Sequence, residues 1–302
     1  MSWQRRAINA WMRYGLKPAL RLTGSPEFVR KVFDLTAPLF CPALPYTRVL
    51  RRPAPLPLYL VSAGQTRSRR IILFLHGGAY LAGSARAYQG MLSRLSYASG
   101  TEIAVPDYRL LQDAPFPAAY DDAMTAWQSL RRMGYGPGDI LLAGDSAGGG
   151  LALALLGGLL ARGERPAGVI AFSPWCDLTL SGASIQANRD KDVIIPAGRM
   201  KEVIEQYLAG ADPADPRASP LFAEFPGPPP VLIQAGDVEV LLSDAERMAE
   251  RLQAAGGSVR LTLWRDVPHV WQFMAGHLPE GQAALEEAAA FAVAALDGGS
   301  AG

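Results

Sequence analysis

The sequence predicts an α/β fold: a mostly parallel central sheet with helices on both faces. Two observations carry that reading. Short apolar runs and helix-forming runs alternate along most of the 302 residues, as they do where parallel strands are joined by crossover helices. The chemically distinctive residues then fall just past the carboxyl ends of those runs, at 76–80, 144–149 and 236–244, with His269 in a fourth such loop. Open α/β sheets bind their ligands on that rim. A hydrophobic fraction of 49% supplies core enough for one large domain.

From the amino terminus, Trp3, Ala7, Ile8, Trp11 and Met12 recur at helical spacing with Arg5, Arg6, Asn9 and Arg13 elsewhere, so 3–14 is expected as an amphipathic helix. A basic amphipathic start can touch a membrane surface; the commoner outcome, preferred here, is a stripe packed against its own protein. Ser25-Pro26 supply the cap and first turn of a helix over 27–39. The proline-rich stretch 42–57 separates this piece from the next. Residues 56–61 read as a strand and 70–75 as a fully buried one. A helix over 88–99, a strand over 101–105 and a helix over 118–133 follow. Then come the strand 139–143 and the strongly helix-forming 151–156. Residues 167–172 form another buried strand, ending on Ser173-Pro174-Trp175. The rhythm breaks over 176–220, where a polar loop, a helix over 196–209 and Asp212-Pro213-Ala214-Asp215-Pro216 read as an insertion over the sheet. A strand at 230–235 resumes the core, followed by a helix over 242–254, a strand over 258–264 and a closing helix over 283–296. The Gly298-Gly299-Ser300-Ala301-Gly302 tail is expected to be disordered.

A net charge of +1 makes no case for nucleic acid or acidic partners. Cys41 and Cys176 form no disulfide framework and fit no metal-ligand spacing with the three histidines, so a reducing cytoplasm and no metal are expected. Arg5, Arg6 and Arg13 are not followed by the unbroken apolar stretch of a secretion signal. The longest uncharged stretch, 146–161, is shorter than the ~20 residues a bilayer span needs, so no stable membrane insertion is expected.

Gly144-Asp145-Ser146-Ala147-Gly148-Gly149 sits between a strand and a helix. A serine there, with glycine two residues to either side, has the nucleophile-elbow arrangement. The turn lifts the Ser146 hydroxyl above the sheet and sets the Ala147 amide at a helix amino terminus, where free N–H groups meet developing negative charge. A serine hydroxyl needs a neighbouring base. His269, after Val267-Pro268 and late in the chain, is the favoured candidate over His277; His76 sits inside a glycine loop. The order nucleophile, acid, histidine is that of α/β-hydrolases. Asp237, Glu239 and Asp244 are all available as the acid, and spacing does not choose among them. His76-Gly77-Gly78-Ala79 would complete an oxyanion hole, since backbone amides converge on one oxygen only where side chains do not crowd it.

Together, His76-Gly77-Gly78-Ala79-Tyr80, Pro106-Asp107-Tyr108-Arg109-Leu110, Phe116-Pro117-Ala118-Ala119, the serine motif, Ser173-Pro174-Trp175 and Ala218-Ser219-Pro220-Leu221 resemble the bacterial hormone-sensitive-lipase family of esterases, family IV carboxylesterases. The match runs in order from about residue 55 to the carboxyl terminus. The resemblance implies an α/β-hydrolase fold with a helical cap: a catalytic domain over 46–302, one cap segment over 1–45 and a second inserted over 180–215. It implies a serine esterase of short- to medium-chain acyl esters, with Ser146, Glu239 and His269 catalytic and no cofactor. The partner is a small-molecule ester, and a homodimer is left open. Family register places Glu239 as the acid. The amides of Gly77, Gly78, Ala79 and Ala147 would hold the oxyanion. Ala79 replaces a usual third glycine and can serve through its amide if its φ is negative. Tyr80 and Trp175 would ring the acyl pocket. A lactone hydrolase on the same triad, and a non-catalytic small-molecule-binding member, are the alternatives.

Overall fold

The computed structural model describes residues 2–22, 25–53, 56–67 and 69–298. Of the tail expected to be disordered, Gly298 instead ends the last helix, and residues 299–302 lie outside the described residues. Eight strands make one sheet: β1 (Thr47–Arg52), β2 (Leu58–Ala63), β3 (Ile71–Leu75), β4 (Glu102–Pro106), β5 (Ile140–Asp145), β6 (Gly168–Phe172), β7 (Val231–Gly236) and β8 (Val259–Trp264). Their order is β1-β2-β4-β3-β5-β6-β7-β8. All neighbours from β4 to β8 are parallel; β1 and β2 join antiparallel at one edge. β3, β5, β6 and β7 are buried along their whole length. Covered on both faces, they read as unbroken apolar runs rather than alternating ones.

The helices are α1 (Trp3–Trp11), α2 (Lys17–Leu22), α3 (Pro26–Phe40), α4 (Ala85–Ser99), α5 (Ala118–Arg132), α6 (Ser146–Leu160), α7 (Ser184–Ala187), α8 (Met200–Leu208), α9 (Leu242–Ala254) and α10 (Pro279–Gly298). One core layer packs α5, α6 and α9 on the sheet, and α4 and α10 build the other on the opposite face.

Several boundaries differ from expectation for local reasons. β1 falls inside the proline-rich separator; it is an edge strand whose Arg48, Arg51 and Arg52 leave no apolar run to detect. The first helix does not stop at 14: α1 continues through a π-helical turn, Met12–Leu16, into α2 despite Gly15 and Pro18. α4 starts earlier than its apolar stripe because Ser84 caps it, accepting from the Ala87 N–H at 3.2 Å. α8 is shorter than 196–209, since residues 197–199 form a 3-10 turn after Pro196.

The amino-terminal helices lie against the insertion and the carboxyl-terminal third. Arg13 donates to the Asp190 and Lys191 carbonyls at 3.0 and 3.2 Å, and the buried Lys17 Nζ donates to the Arg189 and Asp192 carbonyls. Ser2 Oγ donates to Glu280 at 2.8 Å, and Arg5 to the Arg265 carbonyl at 2.7 Å. Met12 is buried with Val193, Val267, Trp271 and Met274 in a small core of their own. Among the described residues no helix is long and apolar enough to cross a membrane.

Candidate active site

Ser146 stands where β5 turns into α6, at φ 53°. Backbones crowd the turn: a Cβ on Gly148 would overlap the Leu75 and His76 carbonyl oxygens, and one on Gly144 the Gly148 carbonyl. Those two glycines are therefore dictated by the close approach of β3 to the elbow. Of the nine non-glycine residues at positive φ among the described residues, five cluster here: Ala79, Tyr80, Ser146, Ser173 and Val270. Left-handed backbone costs a residue with a Cβ about 1–2 kcal/mol, so this rim is held by its surroundings.

The structure brings Ser146, His269 and Glu239 into one line. Ser146 Oγ lies 2.9 Å from His269 Nε2, and His269 Nδ1 lies 2.6 Å from Glu239 Oε2. A carboxylate facing Nδ1 keeps the proton on that nitrogen and leaves the Nε2 lone pair toward the hydroxyl. Burial favours the neutral imidazole, but the charge of Glu239 and its hydrogen bond outweigh burial and raise the His269 pKa above its ordinary 6.5. Glu239 is 1% exposed. Its Oε1 accepts from the Gly236 N–H at 2.6 Å and the Ser173 hydroxyl at 2.8 Å, so neither oxygen is idle.

The rival acids are engaged elsewhere. Asp237 is exposed and accepts from the Asp266 N–H at 2.7 Å. Asp244 is buried and accepts from the Cys176 and Asp177 N–H groups at 2.8 and 2.9 Å; burial lifts its pKa to about 7. His277 is exposed, with Nε2 3.3 Å from the Leu39 carbonyl.

On the oxyanion side three expectations are corrected. The Gly77 N–H donates to Asp145 Oδ1 at 2.8 Å, beside the Tyr88 hydroxyl, and is not free for an oxyanion. Among the described residues, the Gly78, Ala79 and Ala147 amides donate to no protein group; Gly78 and Ala79 line the same cavity as Ser146. Ala79 has φ 55° rather than a negative value, because the loop reverses tightly enough for the Leu81 and Ala82 N–H groups both to reach the Gly78 carbonyl, at 2.9 and 3.1 Å. Tyr80 does not ring the pocket. It is buried, stacks on Tyr207 at 3.9 Å and donates to the Ala147 carbonyl at 3.2 Å, bracing the elbow from below. Trp175 does line the cavity.

His76 is a strut. Burial pushes its pKa down to about 4, Nδ1 donates to the Gly77 carbonyl at 2.9 Å, and its ring stacks on Tyr108 at 4.4 Å. Sequence reasoning missed two carboxylates. Asp145, inside the serine motif, holds the glycine loop through Gly77 and accepts from the Tyr88 hydroxyl at 2.8 Å; burial lifts its pKa to about 6. Its signal was an acidic residue at the end of an apolar strand. Asp192 accepts from the Ile194 and Ile195 N–H groups at 2.8 and 2.9 Å and from the Val240 N–H at 3.0 Å. Asn188 donates to the Glu239 carbonyl at 2.9 Å, and Ser184 to the Val240 carbonyl at 2.6 Å. The acid loop thus hangs from the insertion, a long-range pairing that no local pattern announces.

Ser146 and His269 open on a mostly apolar cavity of about 350 Å³. Phe33 and Phe40 of α3 form one wall, Ile194 and Val203 of the insertion another, and Trp175 and Phe273 the side nearest the sheet.

A family model described as alpha/beta hydrolase fold matches residues 72–273. An acetyl-hydrolase of Streptomyces hygroscopicus is 40% identical over 223 residues, 74% of this chain and 75% of its own length. An esterase of Acinetobacter venetianus is 31% identical over 296 residues, 96% of each chain. The crystal structure of an esterase from the bacterial hormone-sensitive lipase family matches with a TM-score of 0.92 at 34% identity, covering 98% of this chain and 99% of that one.

Proposed function

Because this chain belongs to the α/β-hydrolase-fold family, in its hormone-sensitive-lipase branch, and hydrolyses carboxylic esters, we propose that it does so through Ser146, His269 and Glu239 by way of an acyl-enzyme. The observation that carries the reading is the unbroken chain from Glu239 to His269 to Ser146, at 2.6 and 2.9 Å, on an apolar cavity. His269 Nε2 takes the hydroxyl proton as Ser146 Oγ attacks the acyl carbon. Glu239 stabilises the imidazolium so formed. The carbonyl oxygen, now negative, is held by the Gly78, Ala79 and Ala147 amides, in a site dry enough to make those donors count. The imidazolium gives its proton to the departing alcohol. A water, deprotonated by the same nitrogen, then attacks the acyl carbon, and Ser146 leaves with its proton restored.

Residues 1–45 and 180–215 act as the cap on a catalytic domain of 46–302: both segments wall the cavity, and they hydrogen-bond to each other. The cavity favours acyl chains of roughly two to eight carbons, because each buried methylene adds about 0.8 kcal/mol only until the space is full. Two free, buried cysteines support residence in a reducing cytoplasm.

The test is a rate series of p-nitrophenyl esters from acetyl to palmitoyl. The wild type should peak within the short and medium chains, and Ser146→Ala should lose ~10⁴–10⁶ in kcat while staying folded. A fluorophosphonate should label Ser146. Retained activity in the variant, or labelling at Cys176, overturns the mechanism.

A further inference from the structure

Of the thirteen large hydrophobic side chains that stay exposed among the described residues, seven lie within 3–39. The most ordered group is on α3, which is apolar on two faces. Val29, Phe33, Ala37 and Phe40 look into the ester cavity. Phe28, Val32, Leu35 and Leu39, at intervals of four, three and four, form a straight stripe about 16 Å long on the opposite face. They are 57%, 40%, 73% and 73% exposed. A globular helix ordinarily turns one apolar stripe to its own core and a polar face to water; here the second stripe stays exposed and is covered by no partner among the described residues. Trp11, 47% exposed, meets the carboxyl end of α3 through Phe40, with ring centroids 5.2 Å apart. Trp3 and Tyr14 add aromatic surface on the same amino-terminal segment, 73% and 79% exposed.

The charge of this segment differs from that of the rest. Residues 1–40 hold seven Lys and Arg against Glu27 and Asp34, whereas the chain as a whole is at +1. The remainder is therefore net negative. Arg6, Arg21 and Lys31 are exposed, and Lys31 flanks the α3 stripe. Apolar and aromatic side chains bordered by basic ones bind anionic lipid interfaces. The same charge argues against a second copy as the occupant, because a two-fold contact over this face would bring two strongly basic segments together.

We propose that the outer stripe of α3, with the exposed basic and aromatic side chains of the amino-terminal helices, docks the protein peripherally on an anionic lipid surface. Docking lays the cap along the headgroup boundary without any span of the bilayer. Through that helix's inner face, the ester cavity then sits one helix away from apolar esters dissolved in the interface. The docking itself does not depend on the catalytic reading.

The full-length protein is co-sedimented with vesicles of phosphatidylglycerol and phosphatidylcholine, and with vesicles of phosphatidylcholine alone. Partition onto the anionic vesicles is expected, weakening as ionic strength rises from about 0.05 M to about 0.5 M. Leu35→Asp with Leu39→Asp should lower that partition by about tenfold or more and leave hydrolysis of soluble p-nitrophenyl acetate unchanged. Arg6→Gln with Lys31→Gln should weaken binding to the anionic vesicles, with no change on neutral ones. Ser146→Ala should partition like the wild type, so loss of catalysis and loss of docking are read separately. Absence of partition onto anionic vesicles, or equal partition of the wild type and the Leu35/Leu39 variant, overturns the proposal. So does a solution dimer that the same variant converts to monomer, which would give this face to a second copy of the chain.

Discussion

His269 works between opposed influences: burial favours its neutral form, the Glu239 carboxylate favours the cation, and the carboxylate prevails. A protonated imidazole cannot take the Ser146 proton. Activity should therefore fall as pH drops through a value above 6.5. Glu239→Gln removes the two largest raising influences and leaves burial opposed only by the charges of Asp192 and Asp145, so the acid limb should move to lower pH while kcat falls by up to ~10⁴. Asp237→Asn, on an exposed side chain that accepts the Asp266 N–H, should stay within about tenfold of wild type. The pH–rate profiles of both purified variants check this, and the reverse ranking would assign the acid to Asp237. The serine was legible because its elbow motif stands alone, and the histidine because His269 directly follows the last strand while its rival His277 lies further on, before Leu278-Pro279. The acid was legible only through the family register, which selects Glu239; by residue type alone Asp237, Glu239 and Asp244 are alike and differ only in burial and direction. Gly77 misled for a related reason. Sequence shows that an amide is unhindered, not which way it points, and here Asp145 captures it.

At the level of elements, the insertion supports the catalytic acid rather than merely covering it. Asp192 accepts three N–H groups, two from its own turn and one from Val240 in the acid loop. Asp192→Ala would orphan one buried N–H, that of Val240, worth about 1–3 kcal/mol, and two part-buried ones worth less. Denaturant unfolding should show a loss of about 2 kcal/mol or more, with kcat lowered because the acid loop loses one of its backbone anchors. Asp192→Asn, which keeps an acceptor, should lose less of both, and a neutral Asp192→Ala would refute the coupling. Buried strands and the elbow helix could be read from the chain because both faces of the sheet are covered and the apolar run is continuous. The support of one loop by another could not, since Asn188 and Glu239 meet across 51 residues of sequence. The helical start was half legible: Met12 packs inward as the stripe predicts, while Trp3 remains outside and Trp11 is about half exposed.

Over the whole molecule, buried ionisable groups tie stability to pH. Burial lifts Asp145 to about 6 and Asp244 to about 7, so the folded protein holds protons that the unfolded chain, with carboxyls near 4, has released. Their contribution to stability falls as pH rises through those values. His269, also raised, adds a decline above 6.5. His76, pushed down to about 4, acts the other way, gaining stability as pH rises from about 4 to 6.5. Below about 6 the two carboxyl slopes outweigh the opposing slope of His76, between about 6 and 6.5 His76 offsets Asp244, and above 6.5 a net decline remains. Calorimetry should find a lower Tm at pH 8 than at pH 6.5, with a shallower slope in Asp244→Asn; a rising Tm over that interval would refute the assignment. The bond from Ser2 to Glu280 joins residues 278 apart, and that separation has a consequence for biosynthesis. The ribosome makes the first helix before any of its docking surface exists. Arg265, Trp271 and Glu280 must leave the exit tunnel before the helix can settle, so this segment, made long before them, is among the last to fold. Throughout translation its apolar stripe stays uncovered, as a surface for chaperones to hold, and a chain truncated before residue 265 keeps that mark permanently.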